Sequence, residues 1–142
     1  MNFRMSDPDF QALPTWLLSK AAQRSHHVLH ERLEEAGATG YEYRLLSALD
    51  ARGECTQAEL GRLAMLDRRD VAVTVALLVK SGILGRRSEP ADARKRVVSL
   101  TAAGRTRYQE LAQLLAGVQS EVFAALTADE RERLVDYLSR LA

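Results

Sequence analysis

Arg and Lys are concentrated between residues 68 and 107, and this part of the sequence is the best suited to binding chemistry. The segment holds ten basic residues and three acidic ones, a net charge of +7. The flanking segments 1–67 and 108–142 each carry −3, so the whole chain carries only +1. A dense local set of guanidinium and ammonium groups attracts polyanions whatever the total charge is. The segment is therefore a candidate polyanion-binding surface; a solvated helix face with unbalanced charge is the alternative.

Two histidines, His26 and His30, stand four residues apart and would share one helix face, a spacing that suits two metal ligands. No nearby thiolate or carboxylate pattern completes a known site, so we expect no bound metal. A polar interface, a pocket lining and a solvated face are the alternatives. The single cysteine excludes a disulfide framework and a zinc finger built on several thiolates. Cys55 stands where an apolar residue would pack, which predicts a buried structural thiol.

Enzyme signatures are missing from the sequence, which contains no glycine-rich phosphate loop, no HExxH and no nucleophile elbow. We therefore expect neither an enzyme nor a cofactor. Trp16, Tyr41 and Tyr43 are weak candidates for lining a small-molecule pocket. Aromatic residues at such spacing belong more often to the core.

A length of 142 residues with 46% hydrophobic residues suits one globular domain of ordinary size. The longest nearly apolar stretch, Val71–Val79, is less than half of a membrane span, so no transmembrane helix is expected. The first fourteen residues lack an apolar block, which argues against a signal peptide. These features predict a cytoplasmic protein without a membrane partner.

Helical periodicity predicts two of the elements that would position these residues. Apolar residues recur at helical spacing over about Leu13–Glu35, and Gly37 is a plausible stop. Asp67 is a candidate N-cap for a helix over 68–81. The middle of this second segment is rich in β-branched residues and would also suit a strand, but its length favours a helix.

Three further helix starts share the capping-box pattern Thr-x-x-Glu. In this pattern the Thr hydroxyl accepts from an amide of the first turn, and the Glu carboxylate reaches back to the amide of the cap. Apolar residues at helical spacing follow each box. The boxes begin at Thr39, Thr56 and Thr127 and predict helices at about 40–50, 57–64 and 128–141.

A change of period after the helix over 68–81 predicts a β-hairpin. Strand-like runs cover 83–88 and 96–100, and a polar connector over 89–95 joins them. Thr101 then caps a long helix. Two short helices followed by a two-stranded hairpin form a winged helix-turn-helix, whose second helix enters the major groove and whose hairpin is the wing. The expected fold class is therefore mainly α with a small β-hairpin, with further helices at both ends.

At this point the sequence resembles the multiple antibiotic resistance regulator (MarR) family. The matching stretches are Thr56-Gln57-Ala58-Glu59-Leu60, Leu78 to Leu84, Arg87 to Asp92, Arg94 and Ser99-Leu100-Thr101. The Asp-x-Arg pair formed by Asp92 and Arg94 is the most specific of these marks. The resemblance covers nearly the whole chain. It implies an obligate homodimer, a palindromic DNA site and repression relieved by a small molecule.

The helix over 68–81 would turn one side to the core and the other side to a ligand. That outer side holds Arg69, Val73, Ala76 and Lys80. Arg69, near the N-terminal end, is placed to reach guanine or a phosphate, and Arg68 would touch the phosphate backbone from the flank. Val73 stands where family members often carry Arg and could contact only a thymine methyl. Solvated side chains in the first turn are the alternative for both arginines.

The wing, over 83–100, carries the second set of candidate contacts. By resemblance, Arg94 at its tip enters the minor groove, where a narrow A·T-rich groove concentrates negative potential. Asp92 would orient that guanidinium through a charge-assisted hydrogen bond. Ala93 stands where the family often has a second basic residue, and a solvated hairpin tip is the alternative. The expected phosphate neighbours are Arg86, Arg87, Lys95 and Arg96.

Together these patterns predict a single MarR-like domain over 1–142, with a DNA-binding lobe over 40–101 and dimerisation helices over 13–36 and 102–142. It would be a homodimeric regulator, in the first instance a repressor, that binds double-stranded DNA and responds to a small-molecule effector. Two rival classes remain. One is a winged-helix protein whose basic face meets a protein or RNA. The other is a metal or ligand sensor centred on His26 and His30.

Overall fold

A computed structural model describes residues 9–142 of the chain, so the first eight residues, which bear on the expectation of no signal peptide, lie outside it. A short 3₁₀ helix, Phe10–Ala12, precedes the main elements. These are α1 Pro14–Glu35, α2 Gly40–Arg52, β1 Cys55–Thr56, α3 Gln57–Ala64, α4 Arg68–Lys80, β2 Leu84–Glu89, β3 Asp92–Leu100, α5 Ala102–Val122 and α6 Ala128–Leu141. The predicted fold class, mainly helical with a small β-hairpin in a winged helix-turn-helix, is confirmed. No helix in this described part of the chain is long and apolar enough to cross a membrane.

Side-chain N-caps begin the five helices from α2 to α6, as the sequence predicted. Each cap oxygen accepts a hydrogen bond from the amide three residues further on. Of the three predicted capping boxes, the complete form is found at Thr127, whose amide donates to Glu130 Oε1 at 2.9 Å. At Thr39 and Thr56 only the forward bond forms, so the prediction of three complete boxes was wrong. At Thr39 the reason is tertiary, because the Glu42 carboxylate binds Arg107 instead.

The capping box of α6 can be tested directly. Thr127→Ala removes the hydroxyl that accepts from the Glu130 amide, and we expect a loss of about 1 kcal/mol in the free energy of unfolding. Urea titration followed by circular dichroism measures it. Thr106→Ala is the control, because Thr106 lies inside α5 and its hydroxyl donates to the carbonyl of Ala102. Equal effects of the two substitutions would contradict a capping role for Thr127.

The sheet has three antiparallel strands in the order β1-β3-β2. The sequence missed β1, whose two residues pair with Val97 and Val98. The predicted polar connector over 89–95 is also shorter than expected: β3 begins at Asp92, so only Pro90 and Ala91 join the strands. A register shift between Ser88 and Glu89 accommodates this turn. Charged residues can occupy this part of the hairpin because its far end is exposed to solvent. Backbone hydrogen bonds between the two strands are sufficient to form a strand there.

The core lies where α2, α3 and α4 pack on β3 and α5. Its fully buried side chains include Leu45, Leu46, Leu60, Val71, Val75, Val98 and Leu111. Val71, Val75 and Leu78 form the buried side of α4, so the β-branched segment is a helix with one apolar face, as predicted. Cys55, 5% exposed, belongs to the same cluster, which confirms the predicted buried thiol. Burial raises the pKa of this thiol.

Besides its packing in the core, α5 is held by contacts at Arg107 and at Gly104. Arg107 Nε lies 3.1 Å from Glu42 Oε1, and Arg107 Nη2 donates to the carbonyl of Ala36 at 2.9 Å. The sequence counted Arg107 in the basic segment, whereas the structure pairs it inside the fold. The second contact is at Gly104, where an added Cβ would lie 2.2 Å from the carbonyl oxygen of Ile83 at the root of the wing. Glycine is required there because the two backbones approach so closely.

Candidate nucleic-acid interface

The N-terminal end of α4 presents two arginines at the surface. Asp67 caps the helix by accepting from the amide of Asp70 at 2.8 Å, and this hydrogen bond holds the pKa of Asp67 below its usual value. Arg68 and Arg69 follow immediately and are both exposed. Cations at a helix N-terminus gain nothing from the helix dipole, so a bound anion would offset an unfavourable placement.

A concavity of about 850 Å³ lies between α3, the start of α4 and the wing. Five cations line it: Arg62, Arg68, Arg94, Lys95 and Arg96. Among residues 9–142, Glu59 is the only acidic residue in its lining. The first turn of α4 and the tip of the wing are separate segments of the sequence. In the structure they contribute to one positively charged surface. Such a surface attracts a polyanion and is rigidly held by helices and paired strands.

Arg62 is a lining residue that sequence reasoning missed. It belongs by position to the acidic N-terminal segment, so the charge count gave no reason to select it. Arg62 follows Glu59 by three residues in α3, so the two side chains lie on the same helix face. This spacing is the sequence signal that could have identified Arg62. Gln57, at the start of α3, also lines the concavity, and its Oε1 atom is buried without a hydrogen-bond partner in the described part of the chain.

The wing tip is organised by Asp92, although not in the predicted way. Asp92 Oδ1 accepts from the backbone amide of Arg94 at 3.0 Å, the local bond that Asp often makes in turns. The predicted hydrogen bond to the guanidinium of Arg94 is therefore corrected: the carboxylate fixes the backbone on which that side chain stands. The reason is proximity, because an amide two residues away is reached without ordering a long side chain.

The other predicted contact residues lie outside the concavity. Arg87 Nη2 is 2.9 Å from Glu54 Oε1, so its charge is already partly compensated within the lobe. Arg86 is exposed on the same strand. Arg69, Val73 and Lys80 lie on the exposed side of α4, where the helical wheel placed them.

Of the aromatic candidates for a ligand pocket, Tyr43 lines the groove between α2 and α3, and Trp16 and Tyr41 are exposed. Trp16 is 42% exposed and packs edge-on against Phe10, with ring centroids 5.0 Å apart. Tyr43 stacks on Tyr108 at 6.0 Å, and burial raises the pKa of the Tyr43 hydroxyl. Tyr43 also lines a shallow groove of about 530 Å³ between α2 and α3. Tyr41 is exposed and lines neither cavity.

In α1, His27 and His30 each lie beside a carboxylate, and His26 is exposed. His30 Nε2 lies 3.6 Å from Glu34, and His27 Nε2 lies 3.6 Å from Glu31, all four side chains being more than half exposed. Over residues 9–142, no three His, Cys, Asp or Glu side chains come together as a metal site would require.

The fold combines a helix-turn-helix, α3 and α4, with a two-stranded wing, β2 and β3. This arrangement is a winged helix-turn-helix, and the cationic concavity lies between its two parts. The family model described as the MarR family matches residues 36–95, which span α2 to the wing tip. The chain belongs to the MarR family.

Three relatives illustrate the match. An uncharacterized HTH-type transcriptional regulator of Bacillus subtilis, YdgJ, is 31% identical over 97 residues, 68% of this chain and 59% of the relative, so the match spans less than two thirds of that protein. The PcaV transcriptional regulator of Streptomyces coelicolor, solved with its natural ligand, is 29% identical with a TM-score of 0.77 and 96% of each chain covered. A mutant MarR from E. coli, solved with operator DNA, is 25% identical with a TM-score of 0.77, covering 96% of this chain and 99% of that one.

Proposed function

We propose that this MarR-family protein is a homodimeric repressor that binds a pseudo-palindromic operator in duplex DNA and is controlled by a small molecule. The concavity lined by Arg62, Arg68, Arg94, Lys95 and Arg96 carries this proposal, because its cations face one surface and Glu59 is the single acid among the described residues that line it. The operator complex of the E. coli relative supports DNA as the polyanion.

In the proposed complex α4 lies in the major groove and the wing reaches the minor groove. Arg69 contacts a guanine or a phosphate, while Arg68 and Arg62 contact the backbone that runs along the concavity. Arg94 enters the minor groove, held by the Asp92 turn. Lys80, Arg86, Lys95 and Arg96 are placed near phosphates. Arg87 contributes least, since Glu54 already pairs with it.

A homodimer is proposed because apolar side chains are exposed at both ends of the chain. Leu13 and Leu17 are 43% and 54% exposed on the N-terminal elements, and Val135 and Leu141 are 64% and 73% exposed on α6. Such a surface would be covered by a second copy, with helices 13–36 and 102–142 of each copy forming the interface around the lobes 40–101. A two-fold axis would then place the recognition helices roughly 34 Å apart, one turn of DNA.

Control by a small molecule is proposed from the ligand complex of the PcaV relative. A ligand that binds one dimer geometry better than another would shift the spacing of the two α4 helices and hence the DNA affinity. Ligand-induced release from a selected duplex, measured by fluorescence anisotropy against a panel of small organic molecules, tests this part separately. Unchanged anisotropy across the panel would count against control by a small molecule.

The DNA-binding proposal is tested with a duplex that the protein selects from a random pool. We expect the affinity to fall steeply as the salt concentration rises, because phosphate contacts release counterions. Arg94→Ala should weaken binding by about 1–3 kcal/mol and should lower the salt slope. Arg52→Ala removes the same charge from the end of α2, outside the concavity and the proposed dimer helices, and is the control. Equal affinities of the two variants would refute the role of Arg94, and failure to select any duplex would refute DNA binding.

A further inference from the structure

The exposed side of α4 is apolar in its middle and cationic at both ends. It consists of Arg69, Ala72, Val73, Ala76, Leu77 and Lys80, all of them exposed. Val73 and Leu77 are 55% and 63% exposed and stand one helical turn apart. Leu77 was not among the contact residues that the sequence suggested. Two adjacent large apolar side chains on the outside of a helix therefore form a candidate contact surface for a partner that tolerates cations beside them.

The neighbouring surfaces indicate what that partner is. The cationic concavity adjoins this face through Arg68, and Arg69 and Lys80 lie at its two ends. The partner must therefore carry negative charge around an apolar feature. The major groove of duplex DNA has this arrangement, because phosphates flank a floor on which only thymine presents a methyl group. The small side chains of Ala72 and Ala76 would let the helix approach that floor closely.

We propose that Val73 and Leu77 together read thymine methyl groups, so that this protein selects half-sites with thymines beside the base contacted by Arg69. The inference rests on the proposed DNA binding and adds its sequence preference. The distance along α4 from Arg69 to Leu77 is about 12 Å, which corresponds to between three and four base pairs at about 3.4 Å each. The selected thymines should therefore fall within about four base pairs of that base.

Apolar side chains at these positions discriminate against cytosine as well as favouring thymine. Cytosine has no 5-methyl group, and in the major groove it presents an amino donor that Val73 and Leu77 cannot accept. Covering that donor without a partner is unfavourable. The preference should therefore be for thymine specifically, and it should depend on the methyl group.

The test removes single methyl groups from the DNA and single side chains from the protein. The probe is the duplex most enriched by the wild-type protein from a random pool, with each major-groove thymine replaced in turn by deoxyuridine. We expect one or two replacements per half-site to weaken wild-type binding about fourfold each, as expected for one buried methyl group. For Leu77→Ala and Val73→Ala, the same replacements should change the affinity less than about twofold. Leu63→Ala is the control, since Leu63 is 51% exposed but lines the groove between α2 and α3.

The outcomes separate this inference from the function on which it rests. Loss of methyl sensitivity in Leu77→Ala or Val73→Ala, with sensitivity retained in Leu63→Ala, supports it. DNA binding that is insensitive to uridine, or equally sensitive in all variants, overturns it while leaving DNA binding intact. Loss of dimer formation in Leu77→Ala, measured by light scattering, would overturn it by assigning the face to a second copy. If no duplex is enriched at all, the proposed function fails and this inference fails with it.

Discussion

Gly104→Ala is expected to destabilise the fold by about 2–4 kcal/mol, the range of severe overpacking. The added Cβ would lie 2.2 Å from the carbonyl oxygen of Ile83 and 3.2 Å from a methyl group of Leu100. The carbonyl cannot move freely, because it accepts from the amide of Thr101 at 3.2 Å. Relief of the clash must shift either α5 or the root of the wing. Denaturant unfolding measures the loss, and a weaker affinity for the selected duplex would report the displaced wing.

Gly117→Ala is the matched control for this prediction. Gly117 lies in the same helix, and an added Cβ there has no neighbour within 4 Å among the described residues. We expect this substitution to stabilise the protein by about 0.5–1 kcal/mol, because alanine loses less conformational entropy in a helix. Opposite signs for two identical changes in α5 would isolate the contact with Ile83. If Gly104→Ala is as harmless as Gly117→Ala, the close packing of α5 on the wing root is wrong.

Arg107→Ala should cost about 3 kcal/mol of unfolding free energy, as for other buried pairs that lose one member. Glu42 is only 7% exposed, so its carboxylate would remain desolvated without a cation. The carbonyl of Ala36 would lose its hydrogen bond in the same step. The loss should be larger than that of an exposed ion pair because the Glu42 side chain is 10% exposed and that of Arg107 is 22% exposed.

Two comparisons make this second prediction specific. Arg32→Ala removes a pair of similar length between α1 and α5, Arg32 to Glu121 at 3.0 Å, but these side chains are 35% and 42% exposed. A loss of about 0–1 kcal/mol is expected there. The double variant Glu42→Met, Arg107→Met should be more stable than either single change, because it leaves no unpaired charge. Additive losses in the double variant would show that the two side chains do not act as a pair.

Local patterns in the sequence were sufficient for the order and type of nearly all the elements. The caps at Thr39, Thr56 and Asp67 each act within three residues, and the apolar periodicity of α4 is a property of that helix alone. Both signals depend only on residues close together in the sequence, so they can be recognised without knowing the tertiary structure. The exposed side of α4 followed from the same periodicity, although it gave no reason to join Leu77 to Val73.

The elements that sequence reasoning misjudged depend on partners far along the chain. The two residues of β1 are a strand only because β3 lies beside them, and two residues have no periodicity of their own. The polar residues predicted to form the wing connector became strand for the same reason, since an opposite strand supplies the backbone hydrogen bonds. The amino-acid composition of a segment does not reveal which strand will lie beside it.

The properties of the charged residues divide in the same way between those that the sequence determines and those that the tertiary structure determines. The sequence by itself determined that basic residues gather over 68–107 and that a helix and a hairpin carry most of them. Only the tertiary structure decided which of them act together: it placed Arg62 and Arg68 beside the wing tip, left Arg87 paired with Glu54, and withdrew Arg107 to Glu42, 65 residues away. The physical reason is that caps and periodicity are decided within a few residues of backbone. The partner of a charge, by contrast, is decided by how whole elements pack.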